Sequence, residues 1–299
     1  MRVLRVWPRW IPRAWPRRVT LGRSHWLTHL VLIAGVATFA FPVYMAIIGS
    51  THDLGTIARG ELPLTPGSQA IKNYTQVWVS GEGERVRGTP VRQWMLNSLV
   101  MALAIATGKI IISILSAFAV AFFAFPLRMF FFWMIFVTLM LPVEVRIIPT
   151  YKVVSDLAMI NTYQGLIIPL VASATATLIF RQFFLTVPDE MVDAAKIDGA
   201  GPMRFFWSIL IPLSSSSIAA LFVILFIYGW NQYLWPLLIT TRSELNTVVI
   251  GITKMIGVGD AQTDWQLIMA TSVLAMLPPV AVVILMQRWF VKGLTETEK

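Results

Sequence analysis

The stretch between two long apolar runs of this chain reads Thr186-Val-Pro-Asp-Glu-Met-Val-Asp-Ala-Ala-Lys-Ile-Asp-Gly-Ala-Gly-Pro-Met-Arg-Phe-Phe-Trp-Ser-Ile-Leu-Ile-Pro212. Its local signals divide it into two helices. Pro188 suits the first position of a helix, the two acidic residues after it suit the positive first turn, and Gly199 stands where a left-handed residue ends a helix. A second helix can begin near Pro202. The stretch therefore predicts a short helix, a chain reversal and a second helix between apolar segments.

The composition around this stretch is that of an integral membrane protein. Of the 299 residues, 57% are hydrophobic and 13% are charged, and the mean hydropathy is +0.71, which lies outside the range of soluble domains. A helix needs roughly 20 apolar residues to cross a bilayer. Six stretches reach that length: about Trp26 to Gly49, Met95 to Phe123, Phe130 to Pro149, Gly165 to Phe184, Phe206 to Thr240 and Trp265 to Met286. The sequence predicts an all-α polytopic membrane bundle with six transmembrane helices.

The charge distribution predicts which side of the membrane each loop faces. Residues 1–25 hold seven arginines and no acidic residue, and basic segments beside a span usually stay in the cytoplasm and contact anionic lipid. A nucleic-acid-binding arm is the alternative for this tail, and we expect no nucleic-acid partner. Six spans place both termini and the loop 188–212 on the cytoplasmic side.

The first predicted helix of that loop combines a small apolar surface with polar side chains. The apolar residues are Met191, Ala194, Ala195 and Ile197, and the polar ones are Asp193, Lys196 and Asp198. Such a helix can dock in a groove of a partner protein, or it can lie at the membrane interface as a connector. The residues alone leave both interpretations open.

The loop also resembles the signature of binding-protein-dependent ABC importer permeases, which is E-A-A, three residues, G, nine residues, I-x-L-P. Here it reads Asp193-Ala194-Ala195, then Gly199, then Ile209-Leu210-Ile211-Pro212. Asp193 replaces the glutamate of the family, and Ile211 replaces its leucine. The resemblance implies a type I ABC importer permease fold in which the first helix of the loop couples the spans to an ATP-binding subunit.

On this resemblance, residues 26–288 form the six-span permease domain, the docking loop covers 188–212, and a short cytoplasmic tail covers 289–299. The residues expected to dock on the ATPase are Glu190, Asp193, Ala194, Ala195, Asp198 and Gly199. The protein is then expected in the bacterial inner membrane, with both termini cytoplasmic.

A narrower resemblance is to glycerol-3-phosphate importer permeases of the second type. It rests on Leu139-Met-Leu-Pro-Val-Glu-Val-Arg146, Ala172-Ser-Ala-Thr-Ala-Thr177, Phe180-Arg-Gln-Phe-Phe184 and Tyr228-Gly-Trp-Asn-Gln-Tyr-Leu-Trp-Pro236. The resemblance implies sn-glycerol-3-phosphate or a glycerophosphodiester as substrate, with another sugar or polyol as the alternative. It also implies a second, different permease subunit, an ATP-binding subunit dimer and an extracytoplasmic solute-binding protein.

Polar residues inside the apolar stretches are candidates for the substrate path. Lys109 lies near the middle of the second span, where a charge costs about 2.5 to 3.5 kcal/mol and therefore faces a partner or a wet cavity. It can contact an anion, or it can pair with the partner subunit. Asn231, Gln232 and Tyr233 interrupt the fifth stretch, where they can line the path or bridge helices. For Glu144 and Arg146, we expect an ion pair rather than substrate contact.

Two other functions are less compatible with the sequence. No G-x-x-x-x-G-K-[ST] loop occurs, so we expect ATP hydrolysis in a partner subunit. The chain has no cysteine, and its three histidines lie at the edges of the predicted spans, so we also expect no catalytic residue, metal or cofactor in it. A stand-alone secondary transporter is the remaining alternative, and it needs intramembrane ionisable groups for ion coupling. Lys109 is the only such group deep in a predicted span.

Overall fold

The computed structural model of the chain describes residues 26–60, 63–80, 89–138, 143–256 and 263–295. Within these ranges every regular element is a helix, so the prediction of an all-α fold is confirmed. The basic tail predicted over residues 1–25 lies outside the described residues, as do residues 296–299. The chain divides into two compact units, Met1–Tyr44 and Met45–Lys299.

The N-terminal part of the described chain holds one long helix and three short elements. They are α1 (Trp26–Gly49), α2 (Leu54–Ala58) and α3 (Ala70–Thr75), which a π-helical turn (Gln76–Ser80) follows. Within the second unit, Asn73 ties this region together because its amide donates 2.8 Å hydrogen bonds to the carbonyls of Ser50 and His52. The hydroxyl of Tyr74 lies 2.9 Å from that of Ser50.

The centre of the chain contains the longest helix and two interrupted segments. Its helices are α4 (Val91–Phe122), α5 (Arg128–Val137), α6 (Val143–Asp156), α7 (Tyr163–Ile167), which continues as a 3-10 turn (Ile168–Leu170), and α8 (Ala174–Phe184). The C-terminal part begins with the predicted loop. Its helices are α9 (Asp189–Ile197), α10 (Pro202–Phe205), a π-helical turn (Phe206–Leu210), α11 (Ile211–Leu213), α12 (Ser215–Trp230), α13 (Leu234–Ile239), α14 (Val248–Met255) and α15 (Trp265–Thr295).

The helices long and apolar enough to cross a membrane differ from the six predicted stretches. Among the described residues three qualify singly, namely α1, α4 and Trp265–Gln287 of α15. Two further candidates are bent pairs: Tyr163–Leu170 with Ala174–Phe184, at 45°, and Pro202–Leu213 with Ser215–Trp230, at 71°. The fifth predicted stretch, Phe206 to Thr240, corresponds to the second bent pair, which begins at Pro202 and ends at Trp230. The chain turns sharply near Ser214, and α12 ends at Trp230.

Contacts along α4 set the direction of the neighbouring segments. Near the start of α4, Asn97 accepts a 2.6 Å hydrogen bond from the hydroxyl of Tyr163 in α7. Near its end, the ring centroid of Phe122 lies 5.9 Å from that of Phe184, the last residue of α8. The α7–α8 pair therefore runs parallel to α4, and the chain between them must return across the bundle. Helices α5 and α6, on either side of residues 139–142, make this return where the sequence predicts the third span.

Helix α12 runs antiparallel to α4 and packs closely against it. Phe206, which precedes α12, packs near the end of α4 with its ring centroid 4.8 Å from that of Phe118. Gly229, near the end of α12, lies so close to α4 that an added Cβ would be 2.9 Å from the Cα of Ala102. Small residues permit such backbone approach between membrane helices. The crossing of α4 and α12 forms the centre of the core.

Candidate docking surface and translocation path

Helix α9 forms as the sequence predicts, with one difference at its start. Asp189 and Glu190 occupy the first turn, and Gly199 adopts a φ of +71° just beyond the helix. The amides of Gly199 and Ala200 donate to the carbonyls of Lys196 and Ala195, at 3.0 and 2.9 Å. Pro188 is the N-cap rather than the first helical residue, since its ψ of 140° is extended. The left-handed glycine reverses the chain so that α10 begins at Pro202.

The exposed side of α9 carries most of the residues that we expect to dock. Glu190, Asp193, Ala194, Asp198 and Gly199 are all exposed. An ion pair of 2.9 Å joins Lys196 and Asp193 on the same helix, and both side chains remain largely exposed. Since exposed ion pairs contribute little to stability, these charges remain available to a partner.

Two residues differ from the expected docking surface. Ala195 is only 6% exposed, because its position on the helix turns it towards the bundle, so it packs at the base of α9 rather than on its outer surface. Ile197, which is absent from the expected set, is 86% exposed. The apolar pattern of α9 suggested both as surface residues, but it could not distinguish the inner side of the helix from the outer one.

An aromatic cluster supports the base of α9. Phe118 and Phe122 of α4, Phe184 of α8, and Phe205 and Phe206 of the second loop helix belong to it. The centroid of the Phe122 ring lies 5.5 Å from that of Phe205, and their planes are nearly perpendicular, which is a favourable arrangement for aromatic rings. The cluster joins both loop helices to the ends of two membrane helices.

A cavity of about 290 Å³ lies between α9 and this cluster. Val192 and Ala195 line it from the helix, and Phe118 and Phe122 line it from α4. A gap of this kind leaves the helix room to shift against the rings, because the wall on the α4 side is apolar and offers no fixed polar contact.

Lys109 lies between α4 and α12. It is 7% exposed, and its Nζ lies 3.9 Å from the centroid of the Tyr228 ring in α12. Among the described residues no carboxylate forms an ion pair with it. The sequence predicted that this lysine would face a partner or a wet cavity, and the partner within the chain is an aromatic ring. Tyr228 was not among the candidate site residues, although it stands in the quoted Tyr228–Pro236 stretch.

The predicted polar interruption coincides with a break between α12 and α13. Asn231 and Tyr233 are exposed, whereas the amide of Gln232 donates a 3.2 Å hydrogen bond to the carbonyl of Tyr228. This bond connects the break to the residue that holds Lys109. The following segment is fixed by Trp235, whose indole donates a 3.1 Å hydrogen bond to the carbonyl of Gly165. Lys109, Tyr228 and the break therefore form one region.

Arg146 lies on α6 and is exposed. The predicted ion pair with Glu144 stays a prediction, because the side chain of Glu144 is outside the described residues. Phe132 of α5 is buried, and the guanidinium of Arg181 lies 4.3 Å from its ring centroid. This contact joins α5 to α8.

The crossing helices, broken spans and projecting helix α9 define a multi-pass membrane protein of the permease class. Residues 89–296 match the family described as binding-protein-dependent transport system inner membrane component. The chain belongs to this family and is the transmembrane permease subunit of an ABC importer.

Proteins named sn-glycerol-3-phosphate transport system permease protein UgpE are similar over most of their length. The one from Rhizobium meliloti (strain 1021) is 59% identical over 276 residues, which are 92% of this chain and 98% of that protein. The one from Agrobacterium fabrum is 59% identical over 91% of this chain and 96% of that protein. The one from Pectobacterium atrosepticum is 54% identical with the same coverage.

A solved structure shares the fold. A chain of a bacterial ABC transporter involved in the import of the acidic polysaccharide alginate superposes with a TM-score of 0.76, covering 90% of this chain and 98% of that one. Because the two sequences are 18% identical, the likeness concerns the fold alone. The fold is that of type I ABC importer permeases.

Proposed function

We propose that this permease forms half of the translocation path for sn-glycerol-3-phosphate or a glycerophosphodiester. The substrate is inferred from the relatives, which carry the name of the sn-glycerol-3-phosphate transport system at up to 59% identity over nearly their whole length. The other half of the path belongs to a second, different permease subunit. An extracytoplasmic solute-binding protein delivers the substrate, and a dimer of ATP-binding subunits supplies the energy.

The docking of α9 in a cleft of the ATP-binding subunit is the mechanical part of this proposal. The observation that carries it is the position of α9, which projects its acidic side outward while its base rests on the aromatic cluster. Asp189, Glu190, Asp193 and Asp198 outnumber Lys196 on this helix and its C-cap. The partner cleft is therefore basic at its rim and has an apolar recess for Ile197.

The proposed membrane orientation follows from the same helix. If α9 meets a cytoplasmic ATPase, the ends of α4 and α8 also face the cytoplasm, since both adjoin the aromatic cluster. The basic residues 1–25 and the tail 289–299 lie on that side too. The substrate path passes Lys109 and the break at Asn231, Gln232 and Tyr233, where exposed polar groups can replace part of the hydration of a substrate.

The docking proposal is tested with two matched isoleucines. Ile197 is 86% exposed on α9 and Ile71 is 85% exposed on α3, so neither substitution disturbs a core. In affinity purification of the whole complex, Ile197→Asp should lose the ATP-binding subunit, whereas Ile71→Asp should retain it. Retention of the ATPase by both variants at wild-type level would contradict docking through α9.

The transport proposal is tested by reconstituting the complete complex in liposomes with its binding protein. We expect uptake of sn-glycerol-3-phosphate that requires ATP and the binding protein. Uptake by this chain alone, without dependence on ATP, would instead identify a secondary transporter. If the complex takes up a neutral sugar or polyol but no phosphate ester, the importer function stands and the proposed substrate is wrong.

A further inference from the structure

The buried ammonium of Lys109 has an unusual partner. Its Nζ lies 3.9 Å from the centroid of the Tyr228 ring, and the residue is 7% exposed. No ion pair balances its charge among the described residues. An aromatic ring attracts a cation through its quadrupole but carries no net charge, so the site keeps a net positive charge within the membrane bundle.

This charge lies directly beneath an exposed face of α12. Ile224, Tyr228 and Asn231 succeed one another at helical spacing, and all three are exposed in this chain. Of the three, Tyr228 is the residue whose ring lies over the ammonium of Lys109. A displacement of that ring would expose the ammonium on this face of α12.

A phosphate oxygen is a stronger partner for this ammonium than an aromatic ring. Phosphate oxygens are strong hydrogen-bond acceptors for lysine, and opposite charges attract strongly in a medium of low dielectric constant. An anion that reaches Lys109 therefore supplies the net negative charge that the ring of Tyr228 lacks.

We propose that Lys109 recognises the phosphate group of the substrate, with Tyr228 as the positioning residue that holds the ammonium when no substrate is present. This inference rests on the proposed function, since it assigns the phosphate-binding element of the same path. A phosphate oxygen takes the place of the ring as the partner of Lys109. Transport then distinguishes an anionic substrate from a neutral polyol inside the membrane, in addition to any selection by the binding protein.

The test uses the complete complex in liposomes and compares Lys109→Met with Lys109→Arg. The methionine keeps the length and apolar stem but removes the charge, whereas the arginine restores the charge. We expect Lys109→Met to lower ATP-dependent uptake of sn-glycerol-3-phosphate by about 10- to 100-fold, as for loss of one hydrogen bond to a charged group. Lys109→Arg should recover part of this loss, and affinity purification measures the assembly of the complex for both variants.

The controls separate recognition from general effects of charge. Lys152→Met removes a lysine that is exposed and paired with Asp156 at 3.1 Å on α6, and it should leave uptake unchanged. Tyr228→Phe keeps the ring over Lys109 and should lower uptake less than Tyr228→Leu does. Tyr228→Leu removes the ring and should lower uptake by a smaller factor than Lys109→Met.

Several outcomes would overturn the inference. If Lys109→Met takes up sn-glycerol-3-phosphate at the wild-type rate, Lys109 does not recognise its phosphate group. Failure of Lys109→Met to assemble, with full recovery by Lys109→Arg, would assign the lysine to an ion pair with the partner permease. If the wild-type complex takes up no phosphate ester, the proposed substrate is wrong. Inorganic phosphate is then titrated into the complex in nanodiscs, where binding unaffected by Lys109→Met contradicts the inference independently.

Discussion

Gly199 is the residue on which the geometry of the loop 188–212 depends most directly. Its φ of +71° is accessible to glycine at no steric cost, and an added Cβ would meet nothing within 4 Å. The constraint is therefore in the backbone alone. Gly201 has equally open surroundings, but its φ of −69° and ψ of 166° are ordinary extended values. The two glycines form a natural matched pair.

We expect Gly199→Val to uncouple ATP hydrolysis from transport and Gly201→Val to retain coupling. A left-handed conformation costs roughly 1–2 kcal/mol for an ordinary residue and more for a β-branched one, so valine at position 199 redirects α10 relative to α9. The measurement is the ratio of substrate taken up to ATP hydrolysed. Equal ratios for the two variants would show that the reversal does not depend on the left-handed residue.

Ala158 adopts the same conformation without being glycine. Its φ is +54°, and the amides of Ala158 and Met159 close the end of α6 by donating to Ser155 and Val154, both at 2.9 Å. Ala158→Gly should stabilise the protein by about 1 kcal/mol, seen as a higher midpoint of thermal unfolding in detergent. Ala37→Gly, within the exposed side of α1, should lower it. A lower midpoint for Ala158→Gly would contradict this account.

These two positions show what single residues reveal in a sequence. The glycine at 199 predicts a left-handed helix end because the residue type itself favours it. Alanine at 158 carries no such signal, since its conformation is imposed by the packing of α6 and the following turn. Lys109 was predicted as an unusual residue from its depth, but its aromatic partner lies more than a hundred residues further along the chain.

At the level of elements, the aromatic cluster is the physical link between α9 and the membrane helices. Phe118 is 4% exposed, and its ring centroid lies 4.8 to 5.6 Å from those of Phe206, Phe123 and Phe122. A shift of the loop helices displaces these rings and, with them, the end of α4. The sequence predicted the two loop helices, but the cluster depends on three separate segments meeting.

We expect Phe118→Ala to destabilise the bundle by about 3–5 kcal/mol, as for other buried phenylalanines, and to weaken coupling while α9 still binds the ATPase. Phe118→Leu fills more of the space than alanine does and should lose less stability and less coupling. The exposed Phe130, at 59%, provides a control in Phe130→Ala. The readouts are ATPase recovery after purification, thermal unfolding and uptake per ATP. Wild-type uptake per ATP in Phe118→Ala would show that the aromatic cluster does not couple α9 to the membrane helices.

For the whole molecule, composition and hydropathy predicted the class of fold and most spans, because burial in lipid requires long apolar helices. They did not predict where spans break. A hydropathy window sums over about 19 residues and registers neither the bend near Ser214 nor the end of α12 at Trp230. The sequence showed polar residues from Asn231 to Tyr233 but not that the helix breaks there. The geometry of the break depends on the contacts of Trp235 and Tyr228.

The path of the chain across the membrane predicts opposite exposure of the two ends of the α5–α6 segment. The protein contains no cysteine, so single cysteines can be introduced without removing any. The measurement is the reaction of each cysteine with an impermeant maleimide in sealed vesicles of both orientations. We expect Arg128→Cys and Asp198→Cys to react only from the cytoplasmic side. We expect Asp156→Cys and Ser68→Cys to react only from the outside. Labelling of positions 128 and 156 from one side would contradict the third crossing. It would also contradict the parallel arrangement of α4 and the α7–α8 pair. Helix α7 begins beside Asn97, near the start of α4, and a chain that stayed on the side where α4 ends could not reach that point.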